Sequence, residues 1–396
     1  MWNSILNFNR LVRIIIVSTP LIYQAQVTKS DSSQVLSYAH DVISTLCKPA
    51  FYGRGYIKKG LSKSQRYLEK EFIRQGLKPL FGNGYKQSFQ HPIVTFPKNI
   101  SLKINGTSYR VGFNILPDPS NNSVFGTYNL TKTKQGLWVD SIHNINLIYK
   151  RKLTHSLSTQ FQNSKVFYVN DSLLLDQKEL ICNIKQPVSI IPNYLNYNLG
   201  AVVSGRLYPD SFIVITAHYD HLGGIGSNVF FPGANDNASG VSMVLNLMRY
   251  FKAHPLPKSI AFVFFSGEEA GLLGSHFFTE HSPFLLKNIN TLINLDLLGN
   301  GSEGCTVVNG SIYRSLMDRI IALSAPYPHL NKQMKSRGKA ANSDHYWFSE
   351  KGVRSLFFYT MGGVSAYHDP FDVHETLPLT AYFETFELLK QLILEL

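Results

Sequence analysis

Histidine and carboxylate side chains recur in the second half of the chain, where each follows a hydrophobic segment or stands in a glycine-rich loop. They are His218, Asp236, Glu268, Glu269, Asp296 and His368. Imidazole nitrogens and carboxylate oxygens are common zinc ligands, and a carboxylate beside a metal can serve as a general base. In type and order, five of these residues suit a two-zinc centre and Glu268 suits its base. The chemistry that the set suggests is metal-assisted hydrolysis.

Four hydrophobic segments are predicted to be buried strands that position these side chains. They are residues 212–217, 260–265, 292–296 and 353–359. The first ends before His218, the second before Glu268, the third at Asp296 and the fourth before the loop that holds His368. Open α/β folds bind ligands at the carboxyl ends of their strands. We therefore expect the six side chains to meet at one edge of a sheet.

Each residue taken alone also has a structural interpretation. Asp236 precedes a predicted helix over 241–251 and could be its N-cap. Glu268 and Glu269 stand where a helix could start, and they would favour its dipole there. Asp220, two residues after His218, could orient the imidazole ring through its second nitrogen. Only the whole set favours a catalytic centre.

Composition limits the classes of function. The chain has 396 residues, 44% of them hydrophobic, which is enough for a large core. Its net charge of +12 comes from dispersed basic residues, with 150–152 as the longest run. Because no nucleic-acid-binding motif accompanies that charge, we interpret it as solvated surface. Three separated cysteines are predicted to be buried free thiols.

The N-terminus has the layout of an export signal. Arg10 and Arg13 precede an apolar stretch over 14–23, and Ala25 follows it. We assign residues 1–25 to a signal peptide or an N-terminal anchor. The apolar stretch is too short for a permanent span, and no later segment is apolar enough to cross a membrane. The expected location is periplasmic, cell-envelope or extracellular.

The rest of the chain divides into three stretches. Residues 26–84 predict helices, the second of which begins with a capping box at Ser62, buries Leu68, Phe72 and Ile73, and ends at Gly76. Residues 85–187 predict a β-rich insertion. Residues 188–396 alternate strands with helices. The expected fold is α/β, with a mixed, mainly parallel sheet flanked by helices on both faces, and its catalytic domain comprises 26–84 and 188–396.

Six ordered motifs resemble those of the co-catalytic zinc aminopeptidases of metallopeptidase family 28, of the bacterial secreted type. The motifs are HYDHLG, GANDNASG, SGEEAGLLGS, NLDLLGN, SDHYWF and YHDPFD. They cover the chain from about residue 200 onward, and the stretches 51–54 and 76–79 in the N-terminal part also resemble that family. The resemblance implies a zinc-peptidase fold of the phosphorylase/hydrolase-like type. The position of the 85–187 insertion is similar to that of the protease-associated domain in this family.

The resemblance also implies roles for individual residues, with two Zn²⁺ per chain. The implied metal ligands are His218 and Asp296 for one ion, Glu269 and His368 for the other, and Asp236 as the bridge. Glu268 is the implied general base, Asp220 the support of His218, and Tyr367 a hydrogen-bond donor to the oxyanion. The segment 343–345 also fits the family pattern, as architectural support.

The implied function is that of a zinc exopeptidase acting on peptides or proteins, most simply an aminopeptidase. Two alternatives stay open. One is a glutaminyl-cyclase-like aminoacyltransferase, which shares the scaffold and similar ligands. The other is a non-catalytic receptor or binding module on the same fold. The sequence does not choose between aminopeptidase, carboxypeptidase and dipeptidase, and it gives no indication of oligomeric state.

Overall fold

The computed structural model describes residues 29–227 and 229–396, so the predicted signal peptide or anchor over 1–25 lies outside the described residues. The helices are α1 Lys29–Leu46, α2 Gly60–Arg74, α3 Gly240–Ala253, α4 Leu273–Glu280, α5 Arg314–Ser324, α6 His345–Glu350 and α7 Tyr382–Glu395. Short helical turns occur at Pro49–Arg54, Ser172–Asp176, Ala234–Ser239, Leu286–Asn288, Leu330–Lys332 and His374–Thr376. Within the described ranges, no helix combines the length and the apolar character needed to cross a bilayer.

The strands fall into a large sheet, a second sheet and a small hairpin. Those of the large sheet are β1 Lys78–Pro79, β2 Lys86–Thr95, β11 Ser189–Val203, β12 Tyr208–His218, β15 Lys258–Phe265, β16 Ile289–Leu295, β17 Cys305–Val308, β18 Met334–Ser336 and β19 Ser355–Thr360. Those of the second sheet are β3 Ser101–Ile104, β4 Thr107–Tyr109, β5 Ile115–Pro117, β6 Val124–Lys132, β7 Trp138–Asp140, β8 Ile145–Tyr149, β9 Lys165–Val169 and β10 Glu179–Gln186. The hairpin pairs β13 Gly224–Ile225 with β14 Val229–Phe230.

The large sheet is parallel at its centre and largely antiparallel towards its edges. Its order is β1-β11-β15-β12-β16-β19-β17-β18, with β2 also paired to β11. The neighbours β15, β12, β16 and β19 run parallel. On either side of this central group, β11 pairs antiparallel with β15 and β17 pairs antiparallel with β19. The mixed α/β fold is therefore confirmed, and its parallel character belongs chiefly to the four central strands. These are the four strands that the sequence predicted.

Both faces of the central strands are buried, because successive side chains point to opposite faces. Ile213 and Ile215 of β12 join a core with residues of α1, α3 and α7. Val214, which lies between them, joins another core with Phe278 of α4 and Phe348 of α6. The uninterrupted hydrophobic runs of these strands follow from this double burial. The three cysteines are free and buried, as predicted.

The second sheet extends over residues 101–186 in the order β4-β3-β10-β6-β7-β8-β9-β5. Strand β2 lies within the predicted 85–187 insertion but pairs with β11 of the large sheet from Lys86 to Thr95. We therefore start the second sheet at Ser101, and its status as a separate domain remains a prediction. Its hydrophobic core also contains Leu222, Ile225 and Phe231, which lie after His218 in the chain.

The N-terminal helices agree with the sequence pattern except at one start and one buried position. Gly76 has a left-handed backbone (φ 62°), and Leu77 N donates to Phe72 O across the end of α2. This is the Schellman motif that a glycine after the helix predicts. The capping-box prediction at Ser62 is wrong because α2 already begins at Gly60. Ile73 is 64% exposed, so its predicted burial is also wrong.

Candidate metal centre

One half of the centre forms where two neighbouring parallel strands end. His218 is the last residue of β12, and Asp296 directly follows β16. His218 Nε2 lies 3.4 Å from Asp296 Oδ1 and 3.3 Å from Asp236 Oδ1. All three side chains are buried. The carboxyl ends of β12 and β16 thus bring together residues that are far apart in sequence.

The other half forms around His368, which lies in the loop after β19. His368 Nε2 is 3.1 Å from Asp236 Oδ2 and 3.2 Å from Glu269 Oε2. The two oxygens of Asp236 therefore face two different histidines. A carboxylate in that position can connect two metal ions, each with its own imidazole ligand.

Asp236 is held by the loop that precedes α3, and it does not cap that helix. It lies in the turn Ala234–Ser239 with an extended backbone (φ −109°, ψ 97°), and α3 begins at Gly240. The carboxylate of Asp372 accepts hydrogen bonds from Asn235 N (2.8 Å) and Asp236 N (3.0 Å). The N-cap interpretation of Asp236 is wrong, because its side chain turns towards the two histidines.

Glu268 and Glu269 follow β15 and point to different partners. The helix-start interpretation is wrong, because α4 begins only at Leu273. Glu269 Oε2 faces His368, and its Oε1 lies 2.6 Å from His221 Nδ1. Glu268 Oε2 is 4.0 Å from His218 Nε2, and burial raises the pKa of Glu268 well above its usual range. A carboxyl group with a raised pKa holds a proton more readily, as a general base must.

The second ring nitrogen of His218, Nδ1, has a main-chain atom as its nearest partner. Nδ1 lies 3.3 Å from the carbonyl oxygen of Asp220 and 3.8 Å from its Oδ1. The longer distance exceeds that of a hydrogen bond. Burial raises the pKa of Asp220 to about 7, against the opposing effect of His218. The carboxylate of Asp220 is near the ring without bonding it, and its supporting role remains a prediction.

Asp296 is supported by the predicted architectural segment. Ser343 Oγ donates to Asp296 Oδ2 at 2.9 Å, and Asn294 Nδ2 donates to Ser343 Oγ at 2.8 Å. Asp344 and His345, the next two residues, are fully buried. Ser343 thus leaves one oxygen of Asp296, Oδ1, facing His218.

Besides Asp372, sequence reasoning missed His221 and Arg54 among the residues that hold the centre in place. His221 stands within the HYDHLG motif, yet its partner Glu269 is 48 positions away, so spacing could not reveal the pair. Arg54 is fully buried, and its guanidinium donates to the carbonyl oxygens of Gly233 (2.8 Å) and Asp236 (3.1 Å). The signal for Arg54 was its place in the stretch 51–54, which resembles the family, but that resemblance assigns the residue no role.

A cavity of about 410 Å³ opens over the centre. Tyr367 lines it, is 44% exposed and stacks on His368 with ring centroids 3.9 Å apart. The oxyanion role of Tyr367 remains a prediction. Besides Tyr367 and the six acidic and histidine residues of the centre, the cavity is lined by Gly271, Leu272, Leu297, Ala341, Asn342, Phe357 and Tyr359.

The residues fit divalent metal ions. Asp296 Oδ1 is buried and has no hydrogen-bond partner among the residues that the structure describes. Two sets of ligand atoms each lie within 4.8 Å: His218, Glu268 and Asp296 in one, and His218, Asp236 and Glu269 in the other. Burial lowers the pKa of His218, but the Asp296 and Glu268 carboxylates raise it well above its ordinary value. This concentration of buried negative charge would be offset by bound cations, and nitrogen and oxygen ligands of this kind suit zinc.

Comparison with known proteins gives the same family that the motifs suggest. Residues 198–393 match the model of peptidase family M28. Aminopeptidase YwaD of Bacillus subtilis is 36% identical over 194 residues, which are 47% of this chain and 39% of that protein. A probable zinc metalloprotease of Pyrenophora tritici-repentis is 41% identical over 103 residues, 25% of this chain and 24% of its own length. The chain thus spans well under half the length of these curated relatives.

Solved structures share the fold over most of the chain. A zinc aminopeptidase of Bacillus subtilis superimposes with a TM-score of 0.68 at 21% identity, covering 91% of this chain and 94% of that one. An aminopeptidase of Aneurinibacillus sp. strain AM-1 gives a TM-score of 0.66 at 19% identity, with the same coverage. At such identities the likeness establishes the fold, whereas the sequence match establishes the family. Through residues 198–393, the chain belongs to peptidase family M28.

Proposed function

We propose that this protein is a two-zinc exopeptidase that removes residues from the N-terminus of peptides. The observation that carries the proposal is the position of Asp236, whose Oδ1 is 3.3 Å from His218 Nε2 and whose Oδ2 is 3.1 Å from His368 Nε2. A single carboxylate shared by two histidines is the arrangement that a pair of metal ions needs. The family match and the zinc peptidases among the relatives support the same conclusion.

The proposed ligands divide into two sets. His218 and Asp296 would hold one zinc ion, Glu269 and His368 the other, and Asp236 would bridge them. When bound, the ions would polarise the scissile carbonyl and make a water molecule nucleophilic near neutral pH. Ser343 donates a hydrogen bond to Asp296 Oδ2, so Oδ1, which faces His218, is the oxygen that would bind the zinc ion.

Glu268 is the proposed proton carrier. Its side chain lines the cavity and has no ligand role in this assignment. It would accept the proton of the attacking water and pass it to the departing amine. Tyr367, also on the cavity wall, would donate its hydroxyl hydrogen to the carbonyl oxygen as negative charge develops there. Asp220 would act behind His218 and would not contact the substrate.

The two alternatives receive less support. Relatives named in the comparisons are aminopeptidases and zinc metalloproteases, which does not favour a glutaminyl cyclase. A non-catalytic module would not need the five proposed ligands together with the proposed base Glu268. We also propose that the protein is exported, because its N-terminal residues have the layout of an export signal. We further propose that residues 26–84 and 188–396 together form the catalytic domain.

Blocked peptides test the proposed reaction. We expect cleavage of a peptide with a free amino terminus and an amidated carboxyl terminus, and no cleavage of its N-acetylated counterpart. Dialysis against a chelator should abolish the activity and added zinc should restore it. The products are identified by mass spectrometry. Cleavage of the N-acetylated peptide alone would overturn the aminopeptidase assignment, and cyclisation of an N-terminal glutamine without cleavage would favour the cyclase.

The contact between His221 and Glu269 predicts a positioning effect on zinc binding. Replacing His221 with Leu removes the hydrogen bond at Oε1, so Glu269 loses the constraint that presents Oε2 to the metal. Loss of such an outer partner typically costs about 10- to 100-fold in metal affinity. Competition with a chromophoric chelator measures this loss, which His221→Asn should partly reverse because its amide can donate. His254→Leu, on the exposed end of α3, is the control. Unchanged zinc affinity in His221→Leu would contradict the prediction.

A further inference from the structure

The loop that carries His368 is also in contact with the second sheet. We call residues 361–372 the His368 loop. The connection between β8 and β9, residues 150–164, leaves the second sheet and reaches this loop. Lys152 Nζ donates to the carbonyl oxygen of Ser365 at 2.5 Å and lies 3.6 Å from Asp369 Oδ2. Phe113, which precedes β5, packs edge-on against Phe371 at 5.7 Å.

The closest contact involves the proposed ligand itself. His155 N donates to the carbonyl oxygen of His368 at 2.8 Å. In return, His368 Nδ1 lies 3.1 Å from the carbonyl oxygen of His155. A carbonyl oxygen can only accept, so this contact requires a hydrogen on Nδ1, and in the neutral ring Nε2 then carries the lone pair that can bind a metal ion. Nε2 is the atom that faces Asp236 and Glu269.

The Nδ1 atoms of His218 and His368 have their partners in different parts of the chain. Nδ1 of His218 has its nearest partner two residues away, at the carbonyl of Asp220. Nδ1 of His368 has its partner 213 positions away, at His155. One half of the centre is therefore supported locally, whereas the other depends on a segment from the β-rich insertion.

The segment that supports His368 is itself rigidly packed. His155 is 3% exposed, and its ring stacks on Phe231 with centroids 4.9 Å apart. Leu153, two residues earlier, belongs to the core of the second sheet, to which Phe231 and Leu222 also belong. The His155 carbonyl is thus fixed by a core that the second sheet shares with the segment after His218. A carbonyl held in this way can orient a ring.

We propose that the second sheet is a working part of the metal centre: its β8–β9 connection orients His368 through the His155 main chain and holds the His368 loop through Lys152. The inference rests on the proposed function, since it concerns the presentation of a zinc ligand. Outer partners of metal-binding histidines fix the ring and its tautomer. The insertion would therefore determine the affinity for the zinc ion bound by His368 and Glu269, and leave the other ion unaffected.

The main test is His155→Pro, which removes the N–H that donates to His368. We expect the affinity for one of the two zinc ions to fall about 10-fold, with the second unchanged. Competition with a chromophoric chelator resolves the two binding steps. In the metal-free protein, nitrogen-15 NMR should show a protected His368 Nδ1–H in the wild type and a rapidly exchanging one in the variant. This second readout depends neither on zinc nor on peptidase activity.

A second variant covers the case in which proline prevents folding. Lys152→Met removes the two polar contacts with the His368 loop and keeps the aliphatic stem. We expect the affinity for the same zinc ion to fall about 10-fold, with the affinity for the other ion unchanged. Lys150→Met is the matched control, because Lys150 lies over the ring of Tyr168 within the second sheet at 3.7 Å. Both zinc affinities should stay at the wild-type value in this control.

The outcomes separate this inference from the proposed function. Suppose that His155→Pro and Lys152→Met bind both zinc ions with wild-type affinity and leave the His368 Nδ1–H signal unchanged. That result would overturn the role of the second sheet, even if the protein is an active peptidase. Loss of both ions together would also overturn it, since the support is specific to one half. A wild-type protein that binds no zinc would overturn the proposed function, while the Nδ1–H signal would still report the orientation of His368.

Discussion

Replacing Glu268 with Gln is expected to lower kcat for peptide hydrolysis by about 10³-fold while both zinc ions remain bound. The amide has nearly the same shape as the carboxyl group but cannot accept a proton from water at neutral pH. Glu268 is the carboxylate of the cavity that the ligand assignment leaves free, and burial holds its pKa well above the usual range. Steady-state kinetics and metal analysis of the same preparation measure both effects.

The same experiment distinguishes a base from a ligand. Glu268 Oε2 lies 4.0 Å from His218 Nε2 and falls in one of the candidate ligand sets. If Glu268 were a ligand, its replacement would reduce the zinc content together with the rate. Glu280→Gln makes the same change on α4, where the carboxylate is paired with Lys351, and should leave the rate within about 2-fold of the wild type. Near-normal turnover of Glu268→Gln with full zinc content would remove the proposed base.

The sequence was most informative about the strands and the residues that follow them. A strand buried on both faces is an uninterrupted hydrophobic run, which local composition displays directly. His218 and Asp296 stand at the ends of two such runs. Because β12 and β16 pair in parallel, His218 Nε2 lies 3.4 Å from Asp296 Oδ1. Chain direction alone determines that parallel strands end at one edge. The meeting of these side chains could thus be anticipated without coordinates.

Sequence reasoning failed where a contact depends on a distant partner. Asp236 and Glu268 both precede helices and fit local helix-start patterns, but loops separate them from α3 and α4. Strand β2 alternates polar and apolar residues as the second sheet does, and only its pairing with β11 assigns it to the large sheet. His221 and His155 find their partners 48 and 213 positions away. Local patterns do not determine such pairs.

Arg54 shows how strongly the centre depends on a residue far from it in sequence. Its side chain is fully buried, and the acceptors of its guanidinium are main-chain carbonyl oxygens. Nε donates to Tyr219 O at 3.1 Å, and Nη1 donates to Pro232 O at 2.6 Å. Nη2 donates to Gly233 O at 2.8 Å and Asp236 O at 3.1 Å. One guanidinium thus connects the segment after His218 to the loop that carries the proposed bridging carboxylate.

We expect Arg54→Met to lower the free energy of unfolding by about 4 kcal/mol, because each buried carbonyl left without a donor costs about 1–3 kcal/mol. Zinc affinity should fall as well, since Asp236 loses the anchor of its main chain. Arg54→Lys should recover only part of either loss, because an ammonium group lacks the planar fork that reaches several carbonyls at once. Urea unfolding of the metal-free protein measures stability, and chelator competition measures zinc affinity.

The control for Arg54 is Arg206→Met, which removes the same charge from an exposed position and should change stability by no more than about 0.5 kcal/mol. The comparison separates the hydrogen-bonding role of Arg54 from the effect of net charge on a strongly basic chain. Full stability with reduced zinc affinity in Arg54→Met would mean that water replaces the guanidinium in the folded protein. Wild-type stability and zinc affinity together would show that the carbonyl contacts do not fix the loop, and the proposed anchoring of Asp236 would be wrong.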